Sequence, residues 1–418
     1  MADEARGGDR EQVRVMRALT WQGRRDVRVE DVPDPRVTEP TDAVIRVTST
    51  AICGSDLHLY EVLGMFLRPG DILGHEPMGV VEEVGAEVAN LRPGDRVVVP
   101  FTISCGHCWM CDRALYAQCE TTQVRDTGKG AALFGYTSLY GAVPGGQAEY
   151  LRVPQAQFGP VKLPPGPPDE RFLYLSDILP TAWQAVAYAD VPDGGTLAVL
   201  GLGPVGQMCV RLARHVGAGG IRATTPREVR VIGVDRVRAR MDLAARHGAD
   251  VLDVDDPGDI AARLFGLTDG RGPDAVIDAV GMEAHGAPLG KAAQAAVGLL
   301  PDSLARPLAQ RYGLDRMAAL HTAIRAVRRG GTVSLSGVYG GEVDPMPMMD
   351  LFDKGVQLRM GQAHVRRWTD QILPLLTDAD VLGVETFATH RLPLADAPHG
   401  YEIFQKKLED CVKVVLTP

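Results

Sequence analysis

The chain has 418 residues, a length that accommodates two or three domains of ordinary size. Its composition, 45% hydrophobic and 23% charged, is typical of a soluble globular protein, and no run approaches the roughly 18 apolar residues of a membrane-spanning helix. Acidic residues outnumber basic ones by 53 to 44, and the resulting net charge of −9 argues against nucleic acid or a membrane surface as a partner.

The amino terminus and the cysteines indicate the compartment. The first ten residues are polar and lack the apolar core of a secretory signal, so residues 1–14 are predicted to be a disordered tail. The seven cysteines are odd in number and four of them fall within 15 residues, which suits a metal site in a reducing environment better than a disulfide framework. We therefore expect a cytoplasmic protein.

Residues 15–180 are predicted to form a β-rich domain with little helix. Short β-branched runs alternate here with Gly/Pro turns, which is the pattern of regularly spaced strands. The runs are Val44–Thr48, Gly79–Val84, Arg96–Pro100 and Gln147–Val153. A segment with five prolines, Pro160–Pro168, ends this part of the chain like a connector.

Residues 181–362 change to short apolar strands that alternate with helix-length segments. The strand candidates are Thr196–Leu200, Val229–Val234, Asp274–Val280, Gly331–Ser336 and Val356–Met360. This alternation predicts an α/β fold with a parallel, doubly wound sheet. Residues 363–418 are mixed again and are expected to return to the first domain.

A cluster of cysteines within residues 101–120 gives the strongest metal signal. Its members are Cys105, Cys108, Cys111 and Cys119. Four thiolates on short loops can close a tetrahedral zinc site with no open position, which suits a structural role. An iron–sulfur cluster, whose spacings usually differ, and four buried free cysteines are the alternatives. A zinc module for nucleic acid is disfavoured because the lobe has one arginine and no lysine.

Cys53 and His75 are candidates for a second metal site. A thiolate, an imidazole and one further ligand are the makeup of a catalytic zinc whose fourth position binds a substrate oxygen. Taken singly, each of the two would more often be a core residue, so their spacing alone does not decide. Aromatic candidates for an apolar substrate cleft are Phe66, Phe134, Tyr140 and Trp183.

A glycine-rich turn follows the strand candidate Thr196–Leu200 and precedes a helical stretch, Gln207–His215. This context predicts a dinucleotide site, because the glycines let the backbone and the helix N-terminus approach a pyrophosphate. A glycine-rich turn without nucleotide is the alternative. The turn residues expected to contact the cofactor are Gly201, Gly203, Pro204, Val205 and Gly206.

Asp235, at the end of the next strand, is the expected acidic partner of the cofactor. A carboxylate there can hold ribose hydroxyls and repel a 2′-phosphate, which favours NAD over NADP, although the adjacent Arg236 weakens this preference. The spacing from the turn exceeds the usual ~20 residues, which we attribute to an extra loop over residues 219–228.

The order of these motifs resembles that of the zinc-dependent medium-chain alcohol dehydrogenase family, from Met16 onward. The strings at Ser104–Cys108, Gly145–Tyr150 and Ser176–Thr181 are similar to those of its formaldehyde dehydrogenase branch, in particular the glutathione-independent members. The resemblance implies a GroES-like β-rich catalytic domain and a Rossmann NAD-binding domain.

The resemblance also implies the ligands of the catalytic zinc. Cys53, His75 and Asp177 would hold the ion, with Asp177 standing where many members have a cysteine, and we expect the carboxylate to make the ion a harder Lewis acid. Glu76 would be a transient ligand or a hydrogen-bond partner beside the site, or else an interior carboxylate paired with an arginine.

The resemblance further implies a reaction. Ser55 would take the proton of the alcohol and pass it by way of the cofactor ribose to His58, which otherwise is an ordinary exposed histidine. Arg240, Val338 and Lys413 would contact the cofactor, with Lys413 on its phosphate. With NAD and two zinc ions per chain, hydride would pass between nicotinamide and a small primary alcohol or hydrated aldehyde. The resemblance also implies a homodimer or a homotetramer, and the sequence alone does not decide between them.

Residues 282–316 depart from the pattern of ordinary members as an insertion before the helix predicted at Ala318–Arg328. Glutathione-independent formaldehyde dehydrogenases carry an insertion here that covers the cofactor, so we expect a lid that slows NAD release. An oligomer contact or a solvated helical hairpin is the alternative. Tightly held NAD would make the protein an aldehyde dismutase. A catalytically silent, nucleotide-sensing zinc protein would lack a metal ligand, and none is missing here.

Overall fold

The computed structural model describes residues 14–216, 228–281, 317–339, 345–377 and 379–418. The strands are β1 (Val15–Gly23), β2 (Asp26–Pro33), β3 (Ala43–Ile52), β4 (Asp71–Ile72), β5 (Glu76–Val84), β6 (Arg96–Val98), β7 (Tyr150–Val153), β8 (Val161–Lys162), β9 (Thr196–Leu200), β10 (Arg230–Asp235), β11 (Asp250–Asp253), β12 (Ala275–Asp278), β13 (Thr332–Leu335), β14 (Gln357–Met360), β15 (His390–Pro393) and β16 (Val414–Thr417). The α-helices are α1 (Gly54–Glu61), α2 (Asp169–Leu173), α3 (Ile178–Ala189), α4 (Pro204–Val216), α5 (Arg238–Arg246), α6 (Ile260–Gly266), α7 (Ala318–Ala326), α8 (Met348–Lys354), α9 (Val365–Thr377) and α10 (Ala397–Lys406).

The first part of the chain is built around the long strand β3. Strand β5 pairs along one of its edges, and β7 and β16 pair in succession along the other, all antiparallel. Strands β6, β8 and β15 extend this sheet, and a smaller sheet is formed by β2, β1 and β4. The last strands of the chain therefore lie in the same sheet as β3, and they bring the C-terminal residues next to the start of α1.

The second part is a six-stranded sheet in which every pair is parallel, in the order β11-β10-β9-β12-β13-β14. Both faces are covered, because Leu197 and Val199 of β9 pack into the cluster that holds α3 and α4, whereas Ala198 and Leu200 pack into the cluster that holds α6 and α7. A strand buried on both faces needs a continuous apolar run, which is the pattern that the sequence shows there. The predicted α/β fold with a parallel sheet is confirmed.

The chain leaves the neighbouring strands β9 and β12 in opposite directions, toward β10 on one side and β13 on the other. Such a switch point opens a crevice at the carboxyl ends of the strands, where nucleotides bind in open α/β sheets. The glycine turn at Gly201 follows β9, and Ala279 follows β12, so both lie at this crevice.

Strand β11 was not predicted from the sequence. It lies at the edge of the sheet and its residues are exposed or half-buried, so it has no apolar run to reveal it. Helix α3 crosses residue 181, where the sequence placed the domain boundary, and packs against both α4 and β13.

Several predicted features fall outside the described residues. They are the insertion over residues 282–316, nearly all of the loop over residues 219–228, and residues 1–13 of the tail. Among the helices that the structure describes, none has both the length and the apolar character needed to cross a membrane.

Candidate metal and nucleotide site

Cys53, His75 and Asp177 come together from three separate elements. Cys53 joins β3 to α1, His75 precedes β5, and Asp177 is the residue before α3. The Oδ2 atom of Asp177 lies 3.4 Å from the Sγ of Cys53 and 3.1 Å from the Nε2 of His75. With Glu76, these side chains form a buried group whose possible ligand atoms all lie within 4.8 Å of one another.

The charges of this group fit a divalent cation. Burial, with the nearby carboxylates of Asp177 and Glu76, raises the pKa of the Cys53 thiol to about 12. Burial alone would lower the pKa of His75, but the carboxylates of Asp56 and Asp177 raise it well above its usual value. A cluster with this excess of negative groups is stabilised by a cation, and a thiolate, an imidazole and a carboxylate are ligands that zinc accepts in a tetrahedral site with an open position.

Asp56 is a residue of this site that the sequence analysis missed. One of its carboxylate oxygens lies 3.0 Å from the Nδ1 of His75, and the other accepts a hydrogen bond of 2.9 Å from the backbone N–H of Cys53. A histidine that binds a metal through one ring nitrogen usually donates the other N–H to a carboxylate. The signal was the acidic residue three positions after Cys53.

Hydrogen bonds around the group fix the remaining side chains. The hydroxyl of Thr181 donates to the second oxygen of Asp177 over 2.7 Å and so sets the orientation of that carboxylate. The Oγ of Ser55 lies 3.2 Å from the Nε2 of His75. His58 is half-buried, lies one turn further along α1, and lines the same cleft as Ser55.

The structure corrects the role expected for Lys413. Its ammonium group is fully buried, lies 2.7 Å from both carboxylate oxygens of Glu76, and donates over 3.0 Å to the carbonyl oxygen of Ile52. The three N–H donors of the ammonium group are used by these three acceptors, so none remains for a cofactor phosphate. Lys413 also lines neither of the two clefts described below. Glu76 is thus an interior carboxylate paired with a lysine, not with an arginine.

The four cysteines of the lobe also converge. The sulfur of Cys105 lies 4.0 Å from that of Cys111, and the sulfur of Cys108 lies 3.9 Å from that of Cys119. The hydroxyl of Thr121 donates to the sulfur of Cys105 over 3.1 Å. Backbone N–H groups approach several of the sulfurs as well, which stabilises thiolates. The set fits a closed, four-thiolate zinc site.

Two adjoining clefts lie at the switch point of the parallel sheet. The turn cleft contains Gly201 and Asp235, and the cysteine cleft contains Cys53, His75 and Asp177. Residues shared by both show that they are halves of one groove. The shared residues are Gly203, Arg240, Ala279 and Val280.

The glycine turn has the close approaches that a nucleotide site needs. A Cβ on Gly206 would lie 1.9 Å from the carbonyl oxygen of Gly201, which itself has a φ of +85°. Asp235 is buried and accepts the backbone N–H of Leu202 over 2.7 Å, so it ties the turn to β10. Arg240 lies over Gly203, where an added Cβ would be 3.7 Å from its guanidinium.

The remaining predicted cofactor residues line the cysteine cleft. Pro204 and Val205 enter it from the start of α4, and Val338, which is 46% exposed, enters it from the loop after β13. Gly201, Gly203 and the N-terminal residues of α4 therefore line a single groove, a geometry that fits a dinucleotide, whereas the predicted Gly206 lines neither cleft and lies within α4.

Aromatic side chains form the wall of the cysteine cleft. Phe101, Tyr136 and Tyr140 line it, and the ring of Tyr136 lies edge-on to His75 with centroids 6.4 Å apart. Of the aromatic candidates from the sequence, Tyr140 lines the cleft. The others do not: they are Phe66, Phe134 and Trp183, and all three are buried elsewhere.

Comparisons with known proteins agree with this geometry. The sequence model of the alcohol dehydrogenase GroES-like domain matches residues 39–165. An uncharacterized zinc-type alcohol dehydrogenase-like protein, AdhB, of Bacillus subtilis is 41% identical over 96% of this chain and all of that protein. A glutathione-independent formaldehyde dehydrogenase of Pseudomonas aeruginosa is 31% identical over 93% of this chain and 94% of that one.

A solved structure extends the likeness to the fold. The alcohol dehydrogenase TADH from Thermus sp. ATN1 has a TM-score of 0.78 and 34% identity, covering 96% of this chain and 99% of that one. These matches each cover more than nine tenths of this chain. The chain therefore belongs to the zinc-type alcohol dehydrogenase-like family of oxidoreductases, with formaldehyde dehydrogenases among its relatives at lower identity.

Proposed function

We propose that this protein is a zinc- and NAD-dependent dehydrogenase that transfers hydride between nicotinamide and an uncharged primary alcohol or hydrated aldehyde. The observation that carries the proposal is the groove that holds both the ligand group of Cys53, His75 and Asp177 and the glycine turn at Gly203. When bound, the zinc ion polarises the substrate oxygen and the nicotinamide accepts the hydride.

The residues around the ligand group hold it in a fixed geometry. Asp56 lies 3.0 Å from the Nδ1 of His75 as an ion-pair partner and so leaves Nε2 for the metal, while Thr181 keeps one oxygen of Asp177 directed at Cys53 and His75. A preorganised set of ligands needs little rearrangement when it receives the ion. The four cysteines of the lobe would hold the second zinc of the chain.

Ser55 and His58 supply the path for the proton. Ser55 lies at the ligand group, where its hydroxyl accepts the proton that the alcohol loses. His58 lies one turn further along α1 and lines the cleft, and an imidazole can both accept and release a proton, so it carries the proton onward.

The two ends of the groove would hold different halves of the dinucleotide. Asp235 lies in the turn cleft and suits the adenosine ribose, whereas the reacting ring has to lie beside Cys53 in the other half. Arg240 is 6% exposed and lines both halves, which suits a contact to the diphosphate between them. Arg236 pairs with Asp255 over 3.0 Å, so the charge that would favour NADP is partly offset.

The substrate cleft favours uncharged molecules. Phe101, Leu133 and Tyr140 give it an apolar wall. Among the described residues that line it, Arg240 at the junction with the turn cleft is the one lysine or arginine, and it faces the proposed diphosphate. We therefore propose small or aromatic alcohols and aldehydes, not anionic glutathione adducts, as substrates.

The first experiment is to measure zinc and nicotinamide nucleotide in the purified protein, followed by assays of alcohols with NAD and NADP. We expect about two zinc ions per chain and a higher kcat/KM with NAD. A preference for NADP would contradict the role given to Asp235, and one zinc per chain would contradict one of the two metal sites.

The same measurement distinguishes an ordinary dehydrogenase from an aldehyde dismutase. About one nucleotide per chain would favour a tightly bound cofactor and an aldehyde dismutase, in line with the insertion over residues 282–316. Essentially no bound nucleotide would support an ordinary dehydrogenase that exchanges NAD with solvent.

A further inference from the structure

Asp278 ends β12 at the carboxyl edge of the parallel sheet and is fully buried. One oxygen of its carboxylate accepts the backbone N–H groups of Val280 over 2.9 Å and Gly281 over 3.2 Å. The other oxygen accepts the hydroxyl of Tyr339 over 2.5 Å. A buried carboxylate with three donors is fastened to the segments that carry those donors.

The segment that carries Tyr339 is the loop after β13. This 336–339 loop is held by the same aspartate at its start, because the backbone carbonyl of Asp278 accepts the N–H groups of Ser336 over 3.0 Å and Gly337 over 2.8 Å. The loop also packs closely against the end of β12, since a Cβ on Gly337 would lie 2.2 Å from the nitrogen of Gly281. Asp278 thus contacts the loop at Ser336 and Gly337 through its backbone and at Tyr339 through its side chain.

Between these contacts the loop forms a wall of the cysteine cleft. Ser336, Gly337 and Val338 line that cleft and are absent from the lining of the turn cleft. Val338 is 46% exposed and so reaches the open space of the groove. The loop therefore faces the half of the groove that holds the ligand group, where the reacting half of a dinucleotide must lie.

We propose that Asp278 and Tyr339 are positioning residues that hold the 336–339 loop in place for the nicotinamide half of the cofactor. The inference rests on the proposed function. Without the Tyr339 hydroxyl, the residue after Val338 loses its bond to the carboxylate of Asp278 while the bonds at Ser336 and Gly337 remain. Binding of the nicotinamide half then requires the loop to be ordered, whereas binding of the adenosine half does not.

The test compares two ligands that differ in the nicotinamide ring. Dissociation constants for NAD and for ADP-ribose are measured by calorimetry on protein freed of bound nucleotide, for the wild type and for Tyr339→Phe, which keeps the ring and removes the hydroxyl. We expect NAD to bind about tenfold more weakly to the variant, as the loss of a hydrogen bond to a charged group implies. ADP-ribose is expected to bind within about twofold of the wild type, and the zinc content to stay the same.

A control variant removes a buried tyrosine hydroxyl elsewhere in the chain. Tyr174→Phe removes the hydroxyl of a fully buried tyrosine that lines neither cleft, and it should bind both ligands like the wild type. Asp278→Asn tests the same contact from the other side, because it weakens the acceptor and leaves Tyr339 in place. It should also weaken the binding of NAD and not that of ADP-ribose.

The outcomes are distinguishable. An equal loss of affinity for NAD and ADP-ribose, or no loss for either, would overturn the role given to Asp278 and Tyr339 while leaving the proposed function intact. A wild-type protein that binds neither ligand would overturn the proposed function itself.

Discussion

Single residues in this protein acquire their chemistry from a neighbouring side chain. His75 is oriented by Asp56, Asp177 by Thr181, and Glu76 is neutralised by Lys413. The sequence motifs identify several of these residues. The partner of each is visible only in the folded structure, where the two side chains come into contact. Asp56 was overlooked although it stands between Cys53 and His58 in the motif, because a carboxylate on a short helix is usually a solvated side chain.

The role of Asp56 in orienting His75 can be tested by removing its carboxylate. In Asp56→Asn the Nδ1–H of His75 faces a neutral amide, so we expect zinc at the Cys53 group to bind about tenfold to a hundredfold more weakly. The measurement is zinc retention against a competing chelator. Asp31→Asn, on the exposed surface of β2, is the control and should retain zinc like the wild type. Equal retention by both variants would contradict the role of Asp56.

The pair of Lys413 and Glu76 makes a second residue-level prediction. Lys413→Met leaves the carboxylate of Glu76 buried without its partner, which should lower the free energy of unfolding by about 3–5 kcal/mol. Denaturant unfolding gives the number. Adding Glu76→Gln should recover part of the loss, because it removes the unpaired charge. A loss of NAD affinity without a loss of stability would instead restore the cofactor role first expected of Lys413.

At the scale of secondary-structure elements, the sequence predicted the strands that a local apolar run reveals. The strand candidate Thr196–Leu200 has the bounds of β9, and the other four strands predicted in this part lie within one or two residues of β10, β12, β13 and β14. The apolar runs of β9, β10, β12 and β13 are visible because both faces are buried, whereas β14 is an edge strand with exposed and half-buried residues. Strand β11, whose residues are partly solvated, carries no such run and was missed.

The cysteine lobe is an element whose role can be separated from that of the ligand group. In Cys119→Ser we expect loss of one zinc per chain and a lower Tm, because the fully buried Cys119 closes the lobe and the lobe contacts the start of α9 through a hydrogen bond of 3.2 Å from Ala117 to His364.

The matched variant of the other site is Cys53→Ser. It should also lose one zinc per chain, but with loss of activity and a smaller change in Tm. Zinc analysis with thermal unfolding checks both variants. If Cys119→Ser keeps two zinc ions, or Cys53→Ser keeps its activity, the assignment of the two sites fails.

At the scale of the whole molecule, one edge of the parallel sheet presents apolar side chains to solvent. Strand β14 ends the described sheet, and next to it Met348, Met349 and Phe352 of α8 are 64%, 68% and 81% exposed, with Met360 of β14 at 56%. We propose that a second copy of the chain covers this edge. Two identical edge strands can pair about a twofold axis, and they would bury these side chains together.

Phe352→Asp tests this interface. A charge at its most exposed apolar side chain should convert a dimer into a monomer, or a tetramer into a smaller species, when the mass is measured by light scattering. Leu408→Asp changes another exposed apolar residue away from this edge and should leave the mass unchanged. A monomeric wild type, or an unchanged mass in Phe352→Asp, would contradict the interface.

The sequence by itself predicted the fold class, five of the six strands of the parallel sheet, the four cysteines of the lobe and the glycine turn. These features are local, because hydrophobic periodicity and close spacing encode them within a few residues. Cys53, His75 and Asp177 lie apart in sequence, and their assignment as zinc ligands came from family resemblance instead.

Only the tertiary structure decided which distant side chains meet. Lys413 pairs with Glu76 across 337 positions, and Tyr339 with Asp278 across 61, and neither contact has a local signature. The same holds for the lining of the cysteine cleft, where Tyr136 enters and Phe134, two residues earlier, points into the core. Such contacts depend on how whole elements pack, and periodicity gives the buried face of an element without naming the partner that it meets.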